Sequence, residues 1–504
     1  MIRGGASLIW EKYPFKKNIH LFRHGGLNLV YDVNSGSLHS LDDKAGEWLA
    51  EIISFSEKHP QKAARPGVLL AATGRKLTET ERSEIKREFE RLEQEGALFS
   101  AEAELPPPYA ENEQPLLKAL CLHLAHDCNL ACRYCFAGTG AFGGKRELMS
   151  LATGKKALDF ALARSGGRAT LEVDFFGGEP LLNRTVMRSL VAYGRAAAAA
   201  TAAGKRINFS LTTNALGLDD ELADWLDQEK IGLVLSIDGR PDVHDRMRPR
   251  PDGRGSYAAV LPAVLRTARR RAGASPYAVG AYYYARGTYT RYNPDFDRDV
   301  LHLADLGVER ISAEPAVGGD LAPRLEDWPE ISASYDRLGE AYLAYAAAGR
   351  PFNFFHFNSG LDAGPCLAKR LKGCGAGLEY AAVAPNGDIY PCHQFVGRTE
   401  WRLGNVSEEA AAPAAAIARE FAAAHINAKK TCRECWCRFI CGGGCHAANL
   451  ETTGDLRGVY DLGCLMQRKR FEVAAYIRAR EALAATDESL TGAKFSSAQK
   501  TQES

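Results

Sequence analysis

Apolar and polar positions fall into three regimes along this chain of 504 residues. The first hundred residues begin with short alternating runs at 19–23, 28–32 and 37–41, split by Gly25-Gly26 and Asn34-Ser35-Gly36. These predict strands joined by turns. Helical spacing follows at about 43–55 and 79–97, the second run opening on the capping signal Thr78-Glu79-Thr80-Glu81. Leu105-Pro106-Pro107-Pro108 and the acidic stretch after it predict a linker.

The middle regime alternates strand and helix. Apolar runs at 116–125, 171–176, 208–213, 232–237, 277–284 and 309–313 predict six strands, with helical stretches between most of them. Repeated βα units predict a parallel sheet with right-handed crossovers, whose ligands gather at the C-terminal strand ends. The third regime, about 350–470, is rich in cysteine and poor in periodicity until a final helix near 465–484. Small irregular domains of that kind commonly need metal to hold them. The last twenty residues are polar and predict disorder. Alanine runs at 195–203 and 409–417 favour helix, with Pro413 interrupting the second. The boundaries are 1–100 for an N-terminal module, 101–115 for the linker, 116–349 for the βα domain, 350–484 for the cysteine-rich domain and 485–504 for the tail.

Composition narrows the function. Lys and Arg total 63 against 62 Asp and Glu, a balance that offers neither nucleic acid nor membrane a basic surface. No apolar run approaches ~18 residues, so no membrane span is expected. Ile2-Arg3-Gly4-Gly5 leads into mixed polar sequence without a signal-peptide pattern, which predicts a cytoplasmic protein. Thirteen cysteines in a reducing compartment point to metal ligands over disulfides.

Cys128, Cys132 and Cys135 stand at Cx3Cx2C spacing. A four-iron, four-sulfur cluster normally takes four thiolates, so three leave one iron open. A zinc loop or neighbouring buried thiols are the alternatives. With Tyr134 just before the last cysteine, the motif resembles that of the radical S-adenosylmethionine (SAM) enzymes. In that superfamily the amino and carboxylate groups of SAM chelate the open iron. Gly177-Gly178-Glu179-Pro180 ends the second predicted strand and resembles the superfamily's motif for the SAM amino group. Glycines permit close backbone approach, and carbonyls or Glu179 can accept from an ammonium. Thr212-Thr213-Asn214 ends the third strand and Ser236-Ile237-Asp238 the fourth; their hydroxyls and carboxylates suit a ribose and an amino acid. Ser236 and Arg248, twelve residues apart, match a cofactor-binding pair of related peptide maturases. An arginine fork suits a carboxylate. Relatives often carry Gly where this chain has Ala215, which weakens the case for Asn214.

Cys374-x12-Gly387-x4-Cys392, then Cys432-x2-Cys435-x5-Cys441-x3-Cys445 and finally Cys464, match the seven-cysteine SPASM signature. SPASM is the auxiliary-cluster domain of peptide-modifying radical enzymes; zinc at Cys432-x2-Cys435 is the alternative. By resemblance, Cys366, Cys374, Cys392 and Cys445 would hold one auxiliary cluster. Cys432, Cys435, Cys441 and Cys464 would hold another. Without Cys366, the first would keep an iron open to a substrate thiolate. Cys121 and Cys437 fall outside both sets and read as structural thiols.

Residues 125–130, 171–180, 364–370 and 390–397 resemble the thioether-forming maturases of SCIFF peptides (six cysteines in forty-five residues). The likeness runs from about 18 to 475. It implies a partial (β/α)6 radical-SAM barrel, a C-terminal SPASM domain rich in Fe–S clusters and an N-terminal winged-helix-like peptide-recognition module. That module would bind a precursor's leader by strand addition. It also implies three clusters and SAM as cofactors, with an electron donor such as flavodoxin or ferredoxin. In the implied reaction a 5′-deoxyadenosyl radical removes hydrogen from the peptide and a substrate cysteine joins that carbon. A formylglycine-forming sulfatase-type maturase is a rival, although it carries a carboxylate where this chain has His393. A quinohemoprotein amine dehydrogenase maturase is another. An Fe–S electron carrier or peptide scaffold has no need of the Gly177–Pro180 or Ser236/Arg248 sites.

Overall fold

The computed structural model describes residues 13–63, 68–102, 109, 115–273, 280, 282–361, 371–408 and 415–491. Cys366, the 364–370 motif, most of the linker and residues 492–504 of the tail lie outside the described residues.

At the N-terminus β1 (Ile19–His24), β2 (Leu27–Asp32) and β3 (Leu38–Leu41) form an antiparallel meander in that order. Gly25 and Gly26 turn β1 into β2 at φ 52° and 82°, a pair of left-handed conformations that glycine adopts at least cost. The helix Asp43–Lys58 starts on Asp42, whose carboxylate accepts from the Ala45 amide at 2.8 Å. The helix Glu79–Gln94 starts on a complete Thr78/Glu81 capping box. Trp48, Leu49, Ile52, Phe89 and Leu92 from these helices bury against Phe15 and Val30. Short helices at Phe15–Asn18, Pro60–Ala63 and Val68–Ala72 carry too few turns to show in the periodicity.

The second sheet has ten strands in the order β10-β9-β8-β7-β6-β5-β4-β11-β12-β13. β4 (Ala119–Ala125), β5 (Thr170–Gly177), β6 (Arg206–Thr213), β7 (Gly232–Ser236), β8 (Tyr283–Tyr289) and β9 (Arg310–Pro315) are parallel neighbours. This is the expected βα sheet. Its fifth strand is described at Tyr283–Tyr289, past the expected end at 284, because Leu233↔Tyr283 and Ala285↔Ile311 pairing sets its register; of the expected run, 277–279 and 281 lie outside the described residues. The sheet also runs past its expected end at 349. β10 (Asn353–Phe354) extends it beside β9, and β11 (Tyr380–Val383) pairs parallel with β4. β12 (Asp388–Tyr390) and β13 (Gly404–Asn405) then add antiparallel. The cysteine-rich region is thus built onto the edge of the βα sheet.

The two faces differ. Leu120, Leu122, Leu124, Val173, Phe175, Phe209 and Leu211 are buried with residues of the helices Leu151–Arg164 and Arg184–Ala199. Each such side chain contributes about 1.5–3 kcal/mol. The alternate residues Asp174, Phe176, Ser210 and Thr212 remain half-buried on the inner face. The last helix is Asp461–Thr491, longer at both ends than 465–484, so residues 485–491 are helical where a disordered tail was expected.

That helix and the cysteine loops hold the N-terminal module. His20 Nε2 meets Glu472 Oε1 at 2.9 Å, and the His20 ring stacks on Trp436 with centroids 3.5 Å apart. The Arg438 guanidinium, almost wholly buried, donates to Lys17 O at 2.7 Å and to Asn18 Oδ1 at 2.8 Å. Arg438→Ala leaves these acceptors buried and unpaired, an expected loss of about 3 kcal/mol at this contact. Hydrogen exchange in residues 17–34 should accelerate in the variant while the βα sheet stays protected.

Candidate functional site

The loop after β4 carries Cys128, Cys132 and Cys135. It is fastened to the segment on either side of Arg248 by two backbone bonds, Ala131 N to Pro249 O and Arg133 N to Met247 O, each 2.8 Å. The Cys128 sulfur accepts from the Leu130 amide at 3.4 Å and faces Asn214 Nδ2 at 3.8 Å. The three thiols are near enough that charge on Cys132 or Cys135 opposes charge on Cys128. Burial is the larger effect and pushes the Cys128 thiol up to about 12. Burial also raises Cys132, against the pull of the Arg248 guanidinium. A metal that binds here must displace those protons. Among the described residues no three His, Cys, Asp or Glu side chains converge as ligands of a single ion would.

The glycines of the second motif serve the loop. A Cβ on Gly177 (φ 127°) would stand 2.3 Å from Ala125 O, and one on Gly178 would stand 2.2 Å from Asp127 O. Their absence lets Gly178 N and Glu179 N donate to those carbonyls at 2.7 and 2.8 Å. Glu179 is used differently from the expectation. Its carboxylate is buried and accepts from Leu181 N, Thr213 Oγ1 and Asn214 N, at 2.9, 2.7 and 2.8 Å. What this motif can offer an ammonium is its backbone. Pro180 is buried at the start of a short 3₁₀ turn. Asn214 Nδ2 donates to Asn129 Oδ1 at 2.7 Å, next to the Cys128 sulfur. Ala215 follows at φ 63°, a left-handed conformation that explains why glycine suits this position.

Tyr134, Asp238 and Arg248 form one buried cluster. The Tyr134 hydroxyl donates to Asp238 Oδ1 at 2.8 Å and accepts from Arg248 NH1 at 2.8 Å. Thr288 N also donates to Asp238. Burial lifts the Asp238 carboxyl to about 6 against the opposing pull of Arg248 and Tyr134. Asp238 therefore positions Tyr134 and Arg248. Ser236 ends β7 half-buried beside them. Arg248 Nε is buried without a hydrogen-bond partner among the described residues. A buried, unpaired guanidinium nitrogen beside three thiols and a backbone cradle fits a carboxylate-bearing ligand at an iron–sulfur cluster. The donor set therefore fits the cluster and SAM.

His244 holds this corner from below. Its Nδ1 accepts from Asp238 N at 3.2 Å and its Nε2 meets Ser256 Oγ at 2.9 Å. Burial, aided by Arg248, lowers its pKa to about 3. The unfolded chain takes up that proton first, so the stabilisation is complete above the ordinary histidine value and fades as pH falls. About 2 kcal/mol should be lost by about pH 5. Thermal unfolding across that range should show a shallower pH slope in His244→Gln than in the unaltered protein.

The remaining cysteines gather in two neighbourhoods. Cys445 opposes the ionisation of Cys374, and both oppose that of Cys392. Cys435 and Cys441 likewise oppose the ionisation of Cys432, and all three oppose that of Cys464. Lys429 faces Cys432, Cys441 and Cys464, and Arg468 NH2 lies 3.5 Å from the Cys435 sulfur. Cys437 is buried beside the second set, and Cys121 is buried on β4. Spacing alone does not reveal the polar groups on the inner face of the sheet, its lumen side: Asp174, Arg286 and Tyr380, with His393 at their edge. His393 contacts the rings of Phe136 and Phe176, at 5.7 and 5.0 Å. Burial, with Arg286 nearby, lowers it to about 4. Polar residues on alternate positions of otherwise apolar strands were the available signal.

Comparison with known proteins agrees with this geometry. Residues 122–267 match the radical SAM superfamily and residues 374–436 match the SPASM iron-sulfur cluster-binding domain. These domains imply SAM and iron–sulfur clusters as cofactors. The chain is 25% identical over 363 residues to a serine-type anaerobic sulfatase-maturating enzyme of Bacteroides thetaiotaomicron, covering 65% of this chain and 82% of that protein. It is 27% identical over 364 residues to the mycofactocin maturase MftC of Mycolicibacterium smegmatis, covering 69% and 83%. By contrast it spans 46% of an uncharacterized protein of Methanocaldococcus jannaschii, 29% identical over 145 residues, or 29% of this chain. A solved structure titled native anSMEcpe with bound AdoMet superposes with a TM-score of 0.58 at 18% identity, covering 73% of this chain and 100% of that one. That likeness shows a shared fold. No helix among the described residues is long and apolar enough to cross a membrane.

Proposed function

We propose that this radical SAM, SPASM-bearing enzyme installs thioether crosslinks, cysteine sulfur to carbon, in a small cysteine-rich precursor peptide. Cys128, Cys132 and Cys135 would hold the first cluster, and Arg248 would take the carboxylate of SAM. Cys374, Cys392 and Cys445, with Cys366, would hold one auxiliary cluster. Cys432, Cys435, Cys441 and Cys464 would hold the other, near the charge of Lys429 and Arg468. When bound, these groups would supply the carbon radical that removes hydrogen from the peptide and a route for the surplus electron. A flavodoxin or ferredoxin would supply the reducing electron. Two of these relatives, the sulfatase-maturating enzyme and the mycofactocin maturase, are maturases by name, which supports a peptide partner.

The peptide's leader would dock at residues 1–100. Among the described residues β3 pairs only with β2, which leaves its outer edge for a further strand. A groove of about 740 Å³ lies beside it, between Leu38 and Ser40 on one side and Leu361 and Leu483 on the other.

The observation that carries the thioether reading is His393. It stands after Cys392, where formylglycine-forming relatives carry a carboxylate, and its ring faces the lumen through Phe136 and Phe176. Formylglycine formation is the second reading, supported by the sulfatase-maturating relatives. One anaerobic experiment separates them. The reconstituted enzyme is given dithionite, SAM and a six-cysteine precursor, and the peptide is weighed. Loss of two hydrogens per crosslink, with thiols that no longer alkylate, is the expected result. An aldehyde that a hydrazine traps would establish the second reading instead.

A further inference from the structure

The inner face of the sheet carries a polar row that the cofactor site does not use. Cys121 pairs with Asp174 across β4 and β5, Asp174 with Ser210 across β5 and β6, and Ser210 with Gly232 across β6 and β7. The Tyr282 ring lies over Gly232, where a Cβ would stand 2.3 Å from its Cζ. The neighbours of Asp174 along the strand, Val173 and Phe175, are fully buried on the other face, whereas Asp174 is half-buried and faces the lumen.

Asp174 is incompletely satisfied. Oδ1 accepts from Ser210 Oγ at 2.8 Å, but among the described residues Oδ2 has only a long hydrogen bond of 3.3 Å from Thr212 Oγ1. Arg286 on β8 is exposed into the same space and acts electrostatically on Asp174, Glu314 and His393. Among the described residues its guanidinium has no hydrogen bond or ion pair. Glu314 is already held by His356 Nε2 at 2.9 Å and by Arg470. A carboxylate and a guanidinium that face one lumen without closing on each other are arranged for a third, polar component. A peptide segment brings both things they lack, a backbone carbonyl for Arg286 and a donor for Asp174.

We propose that Asp174 accepts the proton of the peptide's cysteine thiol in this lumen, while Arg286 holds a neighbouring carbonyl of the same peptide. The inference rests on the thioether reading. In the step, the S–H bond breaks and its electron pair stays on sulfur. An O–H bond forms at Asp174 Oδ2, and the thiolate is left to bond to carbon. The groups facing Asp174 are Cys121 on β4, Ser210 and Thr212 on β6, Tyr282 and Arg286 on the β8 side, and Tyr380 on β11. Burial lifts its carboxyl to about 6, against the pull of Ser210, Thr212 and Arg286. Asp174 is therefore ionised near neutral pH and more basic than a surface aspartate.

The test uses the reconstituted full chain with a six-cysteine precursor and follows crosslinking against pH. In the unaltered enzyme, crosslinking should fall as pH drops through about 6. Asp174→Asn keeps the shape but removes the acceptor. It should crosslink about 100-fold more slowly while still forming 5′-deoxyadenosine when peptide is added. Its iron content and melting should match the unaltered enzyme. Ser210→Ala removes a bond that favours the carboxylate, so its acid limb should move to higher pH. Crosslinking by Asp174→Asn within about threefold of normal would overturn the proposal. So would an acid limb that Ser210→Ala leaves in place, a result available even if Asp174→Asn folds poorly. An unaltered enzyme that makes 5′-deoxyadenosine but never a crosslink would sink the thioether reading itself, and the role of Asp174 with it.

Discussion

Cys132→Ala is expected to reduce reductive SAM cleavage to background, with 5′-deoxyadenosine undetectable after prolonged incubation under dithionite. With two thiols instead of three, a cluster held here would lose a ligand in a loop that is fastened on both sides. Cys132 lies between Ala131 and Arg133, whose amides are tied to Pro249 O and Met247 O. Of the described cysteines outside the three sets, Cys437 and Cys121 are buried elsewhere and cannot move in. Arg248→Gln provides the matching control. It should retain the iron and its absorbance but bind SAM about 100-fold more weakly, since truncating one partner of a buried charge pair costs 2–5 kcal/mol or more. Iron analysis and equilibrium binding separate the two effects. A Cys132→Ala protein that still cleaves SAM would sink the assignment of this loop.

Stripping iron from the protein is expected to lower its melting temperature by about 10 °C or more, with residues 371–464 opening first. The reason lies in how little else holds this region. Its helices Lys430–Arg433 and Arg438–Cys441 are one turn each, too short to persist alone. Cys392 and Cys432 are buried, and burial presses Cys392, Cys432 and Cys464 toward the protonated, uncharged form. The metal therefore supplies both the crosslink and the charge balance. Because Trp436 and Arg438 reach the N-terminal module, the loss should spread there and loosen the contacts of His20 and Asn18. Limited proteolysis of chelated and loaded protein gives the order of opening. Unchanged cleavage within 371–464 would show that the region folds without metal.

Two kinds of feature divide between sequence and tertiary structure. The chemistry of the cofactor site was legible in the chain because it is local. Cys128, Cys132 and Cys135 sit within one loop, Gly177-Gly178 within one turn, and the cysteine spacing from 374 to 464 survives any arrangement of the segments between. The βα alternation was legible for the same reason, since each strand and helix carries its own period. Features decided by distant pairing were not. The placement of β8 at Tyr283–Tyr289 follows from its register with β7 and β9, which no local run of aromatics encodes. The extension of the sheet by β11 depends on Tyr380 meeting Ala119 across more than two hundred residues. Glu179 reads as a ligand in a motif, yet the fold turns its carboxylate inward onto Thr213 and Asn214. The facing of Asp174 and Arg286 exists only once β5 and β8 share a lumen. Local interactions fix a residue's type and period, whereas burial and register, set by the whole sheet, decide what each side chain can touch.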